Sequence, residues 1–231
     1  MLWGQHERPG QAVAGAAFPG TLTSLNMRGG ALDHVALWTD ERDALADFLC
    51  ERAGMHVIER TDKFTLVGAD ARKGKLTLFE AEGPRERGAL GHVALRVRGS
   101  AGTLLAPGGL EVRLVENDGD EWDLDHVALR VPDPAGAIEE MAELGFERDD
   151  GRLRAGDKLV LLEEGDATTE RPLLNHLALL VDSAQDHIDE AARRGLEHEV
   201  VDAPNTIAVF VTGPAGIRIE YVEHKPGFAL K

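Results

Sequence analysis

The stretch Leu124-Asp125-His126-Val127-Ala128-Leu129 returns, slightly altered, three more times in this chain. The other copies are Leu32-Asp33-His34-Val35-Ala36-Leu37, Leu90-Gly91-His92-Val93-Ala94-Leu95 and Leu174-Asn175-His176-Leu177-Ala178-Leu179. Four matches to Leu-x-His-(Val/Leu)-Ala-Leu in 231 residues do not arise by chance, so the chain is built from four tandem units. Each copy alternates with the period of a strand. Val127, Leu129 and Val131 fall on one face, while His126, Ala128 and Arg130 fall on the other. The branched face belongs against a core. The second face sets an imidazole beside a small alanine, the lining expected of a cavity.

The segments after these strands repeat as well. Asp40 precedes a helical stretch with Leu45, Phe48 and Leu49 on one side, ending at Gly54. Asp133-Pro134 opens a second, with Ile138, Met141 and Leu144 on one side and Gly145 at its end. Ser183 caps a third, which carries Ile188 and Ala191 and stops at Gly195. Asp or Ser ahead of a helix satisfies its free N–H groups, Pro suits the first turn, and Gly takes the left-handed cap. Short strands come next, among them His56–Ile58, Lys75–Phe79, Lys158–Leu162 and Ile207–Val211. The unit is therefore strand, helix, then two or three strands. The second copy departs from it: only 34 residues separate His92 from His126, and Ala106-Pro107-Gly108-Gly109 cuts its helix short. One residual strand is expected there, around Leu110–Val115.

Composition narrows the function. With 41 acidic against 25 basic side chains the formal charge is -16, which repels phosphate backbones and anionic membrane surfaces. Nucleic acid and membrane are thus not expected partners. The lone Cys50 permits no intrachain disulfide and lies in an apolar helical pattern, the place of a core thiol. No run of about 18 apolar residues is present to span a bilayer. Residues 1–30, rich in Gly and Ala, read as an N-terminal tail or arm, and a cytoplasmic location is the default expectation.

An α+β chain of four tandem βαβββ modules, the second truncated, with a His in each first strand, resembles the vicinal oxygen chelate superfamily. That group includes glyoxalase I, bleomycin- and fosfomycin-resistance proteins and extradiol dioxygenases. The resemblance covers residues 31–225 and implies modules pairing into curled mixed sheets around a cavity. It implies an N-terminal module pair over 31–120 and a C-terminal pair over 121–231 that holds the metal. The four-module members it resembles are mainly extradiol dioxygenases, whose C-terminal pair supplies two His and one Glu. Those positions here are His126, His176 and Glu220, the last in Thr212-Gly213-Pro214-Ala215-Gly216-Ile217-Arg218-Ile219-Glu220. Alternation turns Ile217, Ile219 and Tyr221 to the core, and Arg218 and Glu220 to the cavity.

Two imidazoles and a carboxylate leave open positions on the ion, an arrangement suited to Fe(II), with Zn, Mn or Ni as other divalent choices. Arg130 and Arg218 are the candidate anchors for a small substrate with vicinal oxygens. Aligning the units puts Leu78 and Leu161 where Glu220 stands. In the second unit, matching Leu110–Glu116 to Ile217–Glu223 puts Arg113 there, while matching Gly109–Glu111 to Gly195–Glu197 leaves the ligand strand missing, so His34 and His92 read as core histidines. Phe210 occupies the position of the tyrosine that extradiol enzymes use, and no His stands in Val201–Ala203. The resemblance thus implies an Fe(II) dioxygenase acting on a catechol-like molecule. Its alternatives are a glyoxalase-like lyase or isomerase using the ion as a Lewis acid, or a non-catalytic binder of the resistance type. Sheet edges left by the short second unit would suit a homo-oligomer.

Overall fold

A computed structural model describes residues 27–228 apart from Arg28, Ala71 and 118–121. The expected tail over 1–30 therefore lies almost entirely outside the described residues. The first module is β1 (Ala31–Thr39), α1 (Arg42–Ala53), β2 (His56–Arg60), β3 (Phe64–Gly68) and β4 (Lys75–Glu80). The second holds only β5 (Leu90–Val97), β6 (Gly102–Leu105) and β7 (Glu111–Glu116). The third is β8 (Asp123–Val131), α2 (Pro134–Glu143), β9 (Glu147–Asp149), β10 (Arg152–Ala155) and β11 (Lys158–Glu164). The fourth is β12 (Leu174–Leu180), α3 (Ala184–Arg194), β13 (His198–Asp202), β14 (Thr206–Thr212) and β15 (Arg218–His224).

Two of the three helices are capped by the residues the sequence nominates. Asp133 accepts from Gly136 N and Ser183 from Asp186 N, while Gly54 and Gly195 close α1 and α3 in the left-handed conformation. The first helix differs at its start. Glu41, and not Asp40, sits at its N-cap without a side-chain cap bond, and Thr39 Oγ1 takes the Glu41 N–H instead.

Among the described residues, the second module has no α-helix. Its Pro107–Gly109 segment is a single 3-10 turn between two antiparallel strands, β6 and β7, so two strands come after the first where one was expected. Pro214–Gly216 makes the same turn between β14 and β15. Both need a left-handed residue inside, supplied by Gly108 in one and by Ala215 in the other. Gly takes that conformation at no steric cost.

The strands form two mixed sheets, and these do not follow a division of the chain near residue 120. An eight-stranded sheet runs β13-β14-β15-β12-β1-β4-β3-β2, joining the fourth module to the first. A seven-stranded sheet runs β6-β7-β5-β8-β11-β10-β9, joining the second to the third. The expected pairs over 31–120 and 121–231 are thus corrected to one-with-four and two-with-three. The connectors 81–89 and 165–173 carry the chain between the sheets and lie side by side. Glu86 N donates to Arg171 O at 2.9 Å, and Leu173 N to Glu86 O at 2.7 Å.

One face of each sheet joins the helices in a continuous core that includes Val35, Leu37, Val127, Leu129, Ile219 and Tyr221. Tyr221 ties the fourth module to the third across it by donating its hydroxyl to Leu144 O at 2.7 Å. The opposite faces carry the histidines.

Candidate metal centre

At the middle of each sheet, two copies of the repeated strand run antiparallel. In one, His34 lies opposite Ala178 and Ala36 opposite His176. In the other, His92 lies opposite Ala128 and Ala94 opposite His126. Each alanine leaves room for the imidazole of the neighbouring strand, and this explains the spacing His-x-Ala in all four copies. Both pairs of imidazoles meet at Nε2, at 3.2 Å for His34 and His176 and at 2.9 Å for His92 and His126.

Among the described residues, the first pair alone has a carboxylate within ligand reach of its Nε2 atoms. The β15 strand runs parallel to β12 with Glu220 beside Ala178. Its Oε2 lies 3.0 Å from His176 Nε2 and 3.5 Å from His34 Nε2. The three ligand atoms of His34, His176 and Glu220 fall within 4.8 Å of one another. Arg113 stands beside Ala94 at the matching place in β7, and Leu161 beside Ala128 in β11. In the first module that place belongs to Thr77, beside Ala36, and not to Leu78. The expected alignment is off by one there because Gly74 does not correspond to Gly216.

The anticipated set of His126, His176 and Glu220 is therefore not brought together. His176 and Glu220 meet as expected, but the third group is His34, while His126 lies in the other sheet against His92. His34 is no core histidine holding a carbonyl. Arg130 shares the sheet of His126 and pairs in register with Glu163, away from Glu220. Arg218 does face this centre: it sits two residues before Glu220 and its guanidinium lies 4.0 Å over the Phe210 ring while also meeting Glu199.

The outer nitrogens of the imidazoles are held as well. His34 Nδ1 lies 2.9 Å from Asp33 Oδ2, and His176 Nδ1 lies 3.0 Å from Asn175 Oδ1. Adjacent strand residues ordinarily point to opposite faces. Here the ladder skips Asp33, and likewise Asn175, at bulges just before each His. A bulge re-aims the side chain it carries, which lets each residue reach its own neighbour's ring. Asp33 is fixed in turn by the buried Lys75, whose Nζ donates to Oδ1 at 2.7 Å and to Oδ2 at 2.9 Å. The identity of the residue before each His is a signal present in the sequence that the repeat by itself does not single out.

Carboxylate and amide oxygens can only accept, so Nδ1 of both rings carries a proton, and a ring in its neutral form then presents its lone pair at Nε2. Glu220 Oε2 is buried and close to both, yet no group donates to it in acceptable geometry. Three electron-rich atoms facing one another inside the protein would be costly unless a cation sat among them. Burial lowers the His176 imidazole below its ordinary range, despite the pull of Glu220. Neutral rings and an ionised carboxylate are the forms a metal ligand must take.

The surroundings are apolar. Phe210, which pairs directly with Glu220 across strands, meets the His176 ring edge-on at 5.2 Å. Phe79 lies 6.2 Å from His176 and packs on Trp38 and Phe64.

Residues 31–101 match the family model described as Glyoxalase/Bleomycin resistance protein/Dioxygenase superfamily. The match covers the first module and the opening strand of the second, and that part of the chain resembles that superfamily. Among solved structures, the chain is similar to a "putative dioxygenase" from Bacillus subtilis subsp. subtilis str. 168, with 16% identity over 88% of each chain and a TM-score of 0.69. Glyoxalase I from Zea mays shares 16% identity over 84% of this chain and 92% of its own, with a TM-score of 0.62. The cppA protein of Streptococcus pneumoniae TIGR4 shares 12% identity over 86% of this chain and 100% of its own, at 0.63. At such identities the likeness is one of fold. No curated protein matches the chain by sequence. Among the described residues, no helix is long and apolar enough to cross a membrane.

Proposed function

We propose that the chain holds one divalent metal ion on His34, His176 and Glu220 and acts on a small molecule that offers it two neighbouring oxygens. The observation that carries this is the convergence of two imidazole lone pairs on a buried carboxylate oxygen that lacks a donor. Two nitrogens and one oxygen from three residues form the donor set of Fe(II) oxygenases, and Thr77 stands where a second carboxylate would make a fourth ligand. The preferred reading is an Fe(II)-dependent ring-cleaving dioxygenase acting on a catechol-like compound. The bound ion would supply Lewis acidity to both substrate oxygens and, as Fe(II), a redox couple for oxygen chemistry.

The protein's own part is read from its side chains. Phe210 and Phe79 keep water from the His176 side and give a flat substrate an apolar wall. Arg218, stacked on Phe210 beside Glu220, places a positive charge where an acidic substituent or an ionised oxygen would lie. Asp33 and Asn175 hold the rings by Nδ1.

One observation favours a second reading. Phe210 has no hydroxyl to move a proton, and losing a positioned acid–base group costs about 10²–10⁴-fold. A glyoxalase-like lyase or isomerase on Zn, Mn or Ni needs no oxygen chemistry and is the alternative. The deciding experiment measures bound metal in the purified protein, reconstitutes it anaerobically with Fe(II), and adds catechols in air. Oxygen uptake with a yellow ring-fission product supports the dioxygenase. Turnover of α-hydroxy or α-keto substrates with redox-inert metals and no oxygen uptake supports the lyase. A protein that takes up no metal at all overturns both.

A further inference from the structure

The two histidine pairs differ in the residue that precedes each ring. Asp33 and Asn175 stand before His34 and His176, whereas Gly91 and Asp125 stand before His92 and His126. All four are skipped by the strand ladder. Asp125 Oδ2 lies 2.7 Å from His126 Nδ1 and is itself held by Arg96 Nε at 3.0 Å, so the His126 proton is fixed on Nδ1. Gly91 has no side chain to offer His92, and His92 Nδ1 makes no hydrogen bond among the described residues. His92 is therefore free to carry its proton on Nε2 and to donate it to His126 Nε2 at 2.9 Å. That pair satisfies itself.

We propose that the residue before each strand histidine, by fixing or freeing Nδ1, decides which imidazole pair accepts a cation. Asp33 and Asn175 are then the positioning residues of the metal centre, an assignment that rests on reading His34, His176 and Glu220 as that centre. With both Nδ1 atoms engaged on acceptors, neither His34 nor His176 can close the pair by donating from Nε2. Both lone pairs stay open toward Glu220. In the other sheet a single glycine removes this constraint, and Arg113, bonded to Glu111, takes the register position that Glu220 holds in the first. Substituting Gly91 is not free: a Cβ there would lie 3.0 Å from Ala128 O.

Two measurements on the full chain test this. In the metal-free protein, long-range ¹H–¹⁵N spectra should show Nδ1–H rings at His34, His176 and His126, and an Nε2–H ring at His92. An Nε2–H ring at His34 or His176 would overturn the proposal. In Co(II) titrations followed by the visible absorption of the ion, Asn175→Ala should weaken binding about 10–100-fold, whereas Asn175→Asp, which keeps the acceptor, should restore most of it. Asp125→Ala, in the sheet without a carboxylate, should change nothing. Wild-type protein that binds Co(II) alongside an Asn175→Ala variant of equal affinity sinks this inference alone. Wild-type protein that binds no Co(II) sinks the metal centre itself.

Discussion

Glu220 and Arg113 occupy one and the same place in two different sheets. Each stands on a strand parallel to a histidine strand, beside the alanine two residues past a histidine: Ala178 for Glu220, Ala94 for Arg113. The opposite charge of these two side chains separates a site that attracts a cation from one that repels it. Glu220 is buried, so its charge acts at nearly full strength, whereas Arg113 is exposed and its Nε is held by Glu111 Oε1 at 2.9 Å, which screens its effect.

Glu220→Ala should accordingly bring the metal content close to zero, measured by elemental analysis after dialysis against Co(II) or Fe(II). Arg113→Glu should add a second equivalent beside His92 and His126, bound about 10-fold or more weakly because Gly91 leaves the His92 ring unheld. A variant that gains no second ion even at millimolar Co(II) would show that register alone does not make the site.

His34→Ala should abolish metal binding, and His126→Ala should leave it within a factor of about three. Equilibrium dialysis reads both. The reverse result would move the centre to the strand pair β8 and β12, which lie in different sheets.

Tyr221→Phe removes the one hydroxyl that crosses from the fourth module to Leu144 O at the end of α2. The ring stays packed on His187, so the loss is the hydrogen bond together with an unsatisfied buried carbonyl. Unfolding in urea should show about 1–2 kcal/mol less stability with an unchanged denaturant slope. A change below about 0.3 kcal/mol, on the order of measurement error, would mean that water replaces the donor.

His92 is pushed down to about 4, by burial first and then by Arg113 and His126. An unfolded histidine titrates near ~6.5, so between these values the unfolded chain binds more protons than the folded one. Stability should therefore be fully present above ~6.5 and fall as pH drops toward about 4, by up to ~3 kcal/mol from this ring. His92→Gln should flatten that part of the stability profile relative to wild type. Identical profiles for the two proteins would remove His92 as the cause.

Much of this is legible in the amino-acid order alone. The repeat, its alternation and the caps at Ser183, Asp133, Gly54 and Gly195 are local facts, and they appear in the structure as strands and helices. Glu220 and Arg218 on the cavity side, with Ile217, Ile219 and Tyr221 inward, follow from the strand period alone. Arg113 at the ligand position is one of two alignments the sequence allows, and the parallel pairing of β7 with β5 selects it. The missing helix of the second module is harder, because Ala106-Pro107-Gly108-Gly109 reads equally as a helix break and as the turn it is. The shift from Leu78 to Thr77 is beyond reach, since it depends on which glycine pairs with which strand.

The choice of partner strands lies wholly outside the sequence. Four strands with the same His-x-Ala spacing complement one another equally well, so local energetics permit one-with-two as readily as one-with-four. Connectors of nine residues, 81–89 and 165–173, reach about 30 Å and allow either. The amino-acid order thus set the unit, its cavity face and the carboxylate that a metal would need. Which imidazole joins His176 beside that carboxylate, His34 or His126, is decided by long-range pairing: the Tyr221 bond, the shared core and the packed connectors settle together what no single strand encodes.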